Sequence, residues 1–187
     1  MPLIFFGYRL LPIMLGGRGI DVNGDSPLSK EFLFHFKRPE EMAPEIMDQI
    51  HKLVAEGGEV GLSWVRENLK SAYLIGYVTK GGEVIGTMTL KRPLEKYVQK
   101  IGKKAGIDLT GYLERGYSVV RPGYKGIGIG DRLLKGLVER APGAKIYVTI
   151  RLDNRAAIRL TRRNGMRLAG RFTNERTGHK IGVFVNT

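Results

Sequence analysis

Val119-Val120-Arg121-Pro122-Gly123-Tyr124-Lys125-Gly126-Ile127-Gly128-Ile129-Gly130 decides the reading of this 187-residue chain. A β-branched run breaks into a glycine-rich loop, and an amphipathic segment, 131–140, follows at once, so the pattern predicts strand, turn and helix. Gly126, Gly128 and Gly130 let backbone N–H groups crowd toward one point, because no Cβ stands between them. Those donors sit at a helix N-terminus, where the macrodipole adds positive potential. The loop is therefore expected to hold an anion such as a pyrophosphate.

Spacing separates the phosphate loops. A Walker loop needs Gly-x-x-x-x-Gly-Lys followed by Ser or Thr, and no such string occurs. A dinucleotide fingerprint needs G-x-G-x-x-G, whereas Gly126, Gly128 and Gly130 give G-x-G-x-G. What remains is Lys125-x-x-Gly128-x-Gly130. Downstream lies a second β-rich run, 145–150, and then Asn154-x-x-Ala157-Ile158-x-Leu160-Thr161-x-Arg163-x-Gly165-Met166.

The first pattern resembles the (Gln/Arg)-x-x-Gly-x-(Gly/Ala) acyl-CoA signature of the GNAT N-acetyltransferase superfamily, with Lys at its first position. The second is similar to the Asn-x-x-Ala-x-x-Leu-Tyr-x-Lys-x-Gly-Phe pattern that follows it in that family. Together they span Glu114 to Met166, and a looser likeness covers 31–185. The resemblance implies an α/β (α+β) fold. A mixed, mostly antiparallel central sheet of six or seven strands is flanked by helices, with a splayed parallel strand pair at the acyl-CoA site. It also implies transfer of an acetyl group from acetyl-CoA, or of another acyl group from its CoA thioester, directly to a primary amine.

The resemblance assigns roles residue by residue. Val119 and Val120 present backbone groups to the pantetheine arm. Lys125, Gly126, Ile127, Gly128, Ile129, Gly130 and Asp131 surround the pyrophosphate. Asn154 and Ala157 belong to the second motif near the pantetheine, and Asn154 serves equally as an N-cap for the helix beginning at Arg155. Glu114 stands eleven residues before Lys125, where several GNAT histone acetyltransferases carry their catalytic Glu. As a general base it would need its pKa raised from about 4.3 toward neutrality. Tyr117 and Ser118 are the alternatives. Thr161 replaces the Tyr that protonates the departing thiolate in the family, leaving a water or Tyr147 for that step. Asp131 is a second departure, since a carboxylate beside a pyrophosphate repels it unless it points away.

Composition bounds the rest. One domain is expected at this length, domains commonly running about 100–200 residues. The chain has no cysteine, which excludes disulfides, thiolate metal sites and a cysteine acyl-enzyme. His35, His51 and His179 lack metal-ligand spacing. Asp21-Val22-Asn23-Gly24-Asp25 fails as a calcium loop, with Gly24 in fourth place and Phe32 in twelfth, and reads as a turn. No metal is expected.

The apolar run 3–15 contains Gly7, Arg9 and Pro12 and is shorter than the about 20 residues of a membrane span. It lacks a basic start and a small-residue cleavage site, so a cytoplasmic protein with no membrane partner is expected.

Charge is uneven. Residues 121–187 hold 15 of the 31 Lys and Arg but 4 of the 18 acids, which is +11 of the net +13. A CoA ligand, with about four negative charges, accounts for part of that excess. The remainder suits either solubility or a polyanion such as tRNA. Arg155, Arg159 and Arg162, with Arg163 beside them, form either a solvated helix face or a phosphate-contacting stripe. The acceptor is left open among small molecules, protein or peptide amines and aminoacyl-tRNA. The positive charge argues against polycationic acceptors. A non-catalytic CoA- or RNA-binding module is the rival, and a second copy of the chain is a further partner to consider.

Periodicity places the remaining elements. Residues 1–30 read as an N-terminal extension and 31–187 as the domain. Strands are expected at 32–37, 73–78 and 83–90, the last two as a hairpin about Gly81-Gly82. Helices are expected at 39–57 and 61–71, the second with Ser63 as a cap. Residues 93–111 form a helical insertion with Leu94, Val98 and Ile101 inward, which either shapes the acceptor pocket or decorates the surface. A hairpin of 166–173 and 180–185 closes the chain.

Overall fold

The computed structural model describes residues 31–57 and 64–186. The expected extension, the turn at 21–25 and the Ser63 cap lie outside the described residues. Among the described residues the sheet has seven strands: β1 (Leu33–Lys37), β2 (Leu74–Lys80), β3 (Glu83–Lys91), β4 (Leu113–Val120), β5 (Ile146–Arg151), β6 (Arg167–Thr173) and β7 (Lys180–Val185). Their spatial order is β1-β2-β3-β4-β5-β7-β6. All neighbours are antiparallel except β4 and β5.

That parallel pair touches only at Leu113–Ile146 and Glu114–Tyr147. Beyond Glu114 the two strands have no ladder between them, and a gap opens through the sheet. The expected splayed pair is thus present, and seven strands fall within the expected number.

Among the described residues five helices cover the sheet: α1 (Pro44–Glu56), α2 (Val65–Lys70), α3 (Glu95–Ala105), α4 (Ile129–Glu139) and α5 (Arg155–Arg163). On one face Ile129, Leu133, Leu134 and Leu137 of α4 pack on Val78, Ile85, Met88, Leu90, Ile146, Val148 and Phe184. Each such side chain, fully buried, contributes about 1.5–3 kcal/mol. On the other face α1 and α2 lay Ile50, Leu53, Val54, Val65 and Leu69 on Ile75, Tyr77, Val84 and Tyr117. The other half of this second face is covered by α3, whose Val98 and Ile101 pack on Tyr147, Val183 and Val185. The insertion is thus part of the core.

Several expectations need correction. One helix from Pro39 is instead a 3-10 turn, Pro39–Glu41, and then α1. Ala43, held extended at ψ 140° ahead of Pro44, breaks the two apart. Leu94 is not inward: it sits at the N-cap of α3 and is 78% exposed. α4 starts two residues before Asp131, because Gly128 with φ +94° provides the turn into it. Among the described residues no helix is long and apolar enough to cross a membrane, and no group of three or more His, Cys, Asp or Glu could hold a metal.

Candidate active site

The loop ahead of α4 behaves as its sequence demands. Pro122–Tyr124 forms one 3-10 turn, and Gly126 and Gly128 take φ of +84° and +94°. The left-handed turn at Gly128 costs any residue with a Cβ about 1–2 kcal/mol. The first helical bond runs from Arg132 N to Gly128 O at 3.1 Å. The amides of Gly126, Ile127, Gly128, Ile129, Gly130 and Asp131 have no acceptor among the described residues. Six consecutive donors at an exposed helix start fit a multiply charged anion such as a diphosphate.

The second motif supports this loop. Asn154 Oδ1 accepts from Ala157 N at 3.0 Å and caps α5. Gly130 lies against that helix: a Cβ there would stand 3.4 Å from Leu160 Cδ2. The Asp131 carboxylate turns to the end of α5, where Arg163 holds both oxygens and Asn164 Nδ2 donates at 3.0 Å. Its charge is thereby engaged away from the loop amides, and the Asp131 N–H remains with them.

β4 carries the remaining predicted residues. Val119 and Val120 border the gap, where β4 has no β5 partner. Thr87 faces Val119 and Thr89 faces Gly116, so Met88 is opposed by both Tyr117 and Ser118, a β-bulge. Tyr117 takes φ +47°, the one positive value outside glycine among the described residues. Its hydroxyl accepts from Asn68 Nδ2 at 2.9 Å and its ring is buried, which holds the strained backbone in place. Ser118 is exposed.

Glu114 is buried, and Lys91 Nζ lies 2.8 Å from its Oε2. The Lys91 stem runs over Gly116, where any Cβ would come within 2.6 Å of Cε. Glycine at that position keeps the ion pair in reach. Lys91 Nζ also lies 4.9 Å from the Tyr117 ring centre.

Tyr147 stands directly across from Glu114 on β5, fully buried, its hydroxyl without a hydrogen-bond partner among the described residues. Burial raises its pKa, and the charge of Glu114 and the neighbouring Tyr97 add to that, so it is a poor proton donor. Tyr97, from α3, is 40% exposed as a whole residue, but desolvation of its hydroxyl and then the Glu114 charge push its pKa up to about 12. Lys91, Glu114, Tyr97 and Tyr147 therefore form one polar cluster on the face shared by α1, α2 and α3.

Arg115, the next residue, points to the opposite face. It is 4% exposed, and its Nη2 donates to the buried Thr161 Oγ1 on α5 at 2.8 Å. Nε and Nη1 are buried with no partner among the described residues. Desolvation lowers its pKa to about 10. A buried cation with one neutral partner costs several kcal/mol. Sequence reasoning missed Lys91, Tyr97 and this use of Arg115; the first two join the site only through strand register and the inserted helix.

Comparison with known proteins agrees with this fold. The acetyltransferase (GNAT) family model matches residues 37–166. N-alpha-acetyltransferase RimI of Mycobacterium tuberculosis is 45% identical over 51 residues, which is 27% of this chain and 32% of that protein. The match thus spans about a third of that relative's length. The structure of NAA60 from Arabidopsis thaliana in complex with acetyl-CoA superposes with a TM-score of 0.63 at 18% identity, over 82% of this chain and 98% of that one. The ribosomal-protein-S18-alanine N-acetyltransferase of Escherichia coli does so with 0.59 at 14% identity, over 82% and 92%. The glycine loop, the strand gap and the capped α5 lie within or beside the matched segment, and the chain belongs to the acetyltransferase (GNAT) family.

Proposed function

We propose that the chain is an acyl-CoA-dependent N-acetyltransferase that moves an acetyl group from acetyl-CoA to a primary amine by direct transfer. The observation that carries this reading is the set of six amides, Gly126 to Asp131, left without acceptors at the start of α4 beside the strand gap. Acetyl-CoA supplies the activated acyl group as a thioester.

The chain's residues divide the work. The amides from Gly126 to Asp131, with Lys125, hold the diphosphate; Val119 and Val120 offer main-chain groups to the arm. Asn154 and Ala157 fix the start of α5 beside it. Glu114, on the face opposite α4, takes the amine proton, with Lys91 orienting its carboxylate. Tyr117 and Ser118, in the bulge, are the alternatives for that transfer. Direct transfer is consistent with the absence of cysteine.

A protein or peptide amine is the favoured acceptor, since the RimI relative is named for N-alpha-acetylation and the Escherichia coli structure for an alanine of ribosomal protein S18. Calorimetry with acetyl-CoA, followed by thiol release against a panel of N-terminal peptides, lysine peptides and small amines, tests the proposal. Binding without turnover on any amine would leave a CoA-binding module in its place.

A second reading places the acceptor on nucleic acid or an aminoacyl end. It is favoured by Arg155, Arg159 and Arg162, which are exposed and without an ion-pair partner among the described residues. Absence of a tRNA mobility shift at low salt would remove it.

A further inference from the structure

The buried guanidinium of Arg115 is explained neither by the core nor by the diphosphate loop. It has one hydrogen bond, to a neutral hydroxyl, and two nitrogens buried without partners among the described residues. Among the described residues nothing anionic balances it, and burial is the one influence that moves its pKa.

Its place in the sheet identifies what it awaits. Arg115 is the first β4 residue past the last rung joining β4 to β5. The sheet therefore parts beside it. Its side chain lies on the face of α4 and α5, the face on which the loop amides stand. Glu114, one residue earlier, projects to the other face with Lys91 and Tyr147, its register partners. A co-substrate anchored at the α4 loop reaches the gap from the Arg115 side. An amine reaches it from the Glu114 side.

We infer that Arg115 is the group that receives the departing thiolate of the acyl-CoA co-substrate, its unpartnered nitrogens donating to the sulfur. This rests on the acyl-CoA reading above. As the amine nitrogen forms its bond to the acyl carbon, the carbon–sulfur bond breaks and its electron pair leaves on sulfur. The amine proton passes to Glu114 and then to solvent. The thiolate is held as an ion pair and takes a proton from water on release. Thr161, too weak an acid for the task, positions the guanidinium through its 2.8 Å contact.

An ion pair in this setting lowers the pKa of the bound thiol, and each unit of lowering tightens binding about tenfold at a pH above both values. The groups facing Arg115 do not titrate near neutrality: Thr161 on α5 and Leu90, its register partner on β3, are uncharged. On α4, Asp131 is committed to Arg163. Glu114, Lys91, Tyr97 and Tyr147 lie across the sheet.

The test is calorimetric binding of CoA and of desulfo-CoA to the full chain from pH 6 to 9. CoA should gain about tenfold or more over desulfo-CoA as pH rises. Arg115→Met should abolish that gain while binding desulfo-CoA normally, and Arg115→Lys should restore part of it. Parallel pH curves for the two ligands in the wild-type chain, or a gain that survives in Arg115→Met, would overturn the assignment without touching the acyl-CoA reading. If neither ligand binds, both fall.

Discussion

Lys91 Nζ and Glu114 Oε2 stand 2.8 Å apart on adjacent strands, with side chains 18% and 10% exposed. At that depth removing one partner strands the other, a loss of about 3–5 kcal/mol in comparable pairs. Lys91→Met should therefore lower stability clearly, and Lys91→Met with Glu114→Gln should recover part of the loss. A denaturant double-mutant cycle reads the coupling. Glu114→Gln alone should reduce kcat/KM by about 10²–10⁴-fold, the range for a general base. A rate equal to wild type across the pH profile would remove Glu114 from that role.

Gly128 holds the turn into α4 at φ +94°. Gly128→Ala should cost about 1–2 kcal/mol of stability. It should also tilt the amides on either side, so acetyl-CoA should bind about tenfold more weakly, the equivalent of one lost hydrogen bond. Unchanged affinity in titration calorimetry would show that the loop does not grip the ligand.

The parts of this molecule that were legible in sequence are those specified locally. Glycine spacing from Gly126 to Gly130 marked the turn into α4, and the β-branched and aromatic run Lys180–Val185 marked a strand with matching bounds. Asn154 announced its own cap, which the contact with Ala157 N bears out. What stayed hidden depends on register between distant strands or on competing local rules. Pro39 and Pro44 both suit a helix start, and the extended Ala43 decides for the second. Nothing near Glu114 points to Lys91, because only the β3–β4 ladder brings them opposite. The Asp131–Arg163 pair likewise needs two helices to be docked before it exists.

Ile101 of the inserted helix is 6% exposed and packs with Tyr147, Val183 and Val185. Ile101→Ala should therefore destabilise by about 2–5 kcal/mol, whereas Leu94→Ala, at an exposed position, should fall within about 0.5 kcal/mol of wild type. Paired thermal or urea melts check both. Equal, small effects would return α3 to the status of surface decoration.

Arg115 makes a contrasting claim on stability. Its guanidinium is buried against a hydroxyl alone, so an apolar side chain of similar length relieves a desolvation cost. Arg115→Met should leave the melting temperature unchanged or raise it. A residue kept for packing would behave in the opposite way, and a marked drop in the melting temperature would identify it as one.

Tyr97 gives a prediction with a defined sign. Its folded pKa is raised to about 12, by burial first and the Glu114 charge second. The unfolded value is near 10. The folded state thus holds the phenolic proton where the unfolded state has lost it, so the unfolded state binds fewer protons and stability falls as pH rises. The contribution is whole below about pH 10 and disappears as pH passes through about 12. Tyr147, shifted in the same direction, adds to that slope. Tyr97→Phe removes one of the two titrations, so its urea midpoint should decline less steeply between pH 10 and 12 than that of wild type. Identical slopes would mean that the Tyr97 hydroxyl is not held beside Glu114.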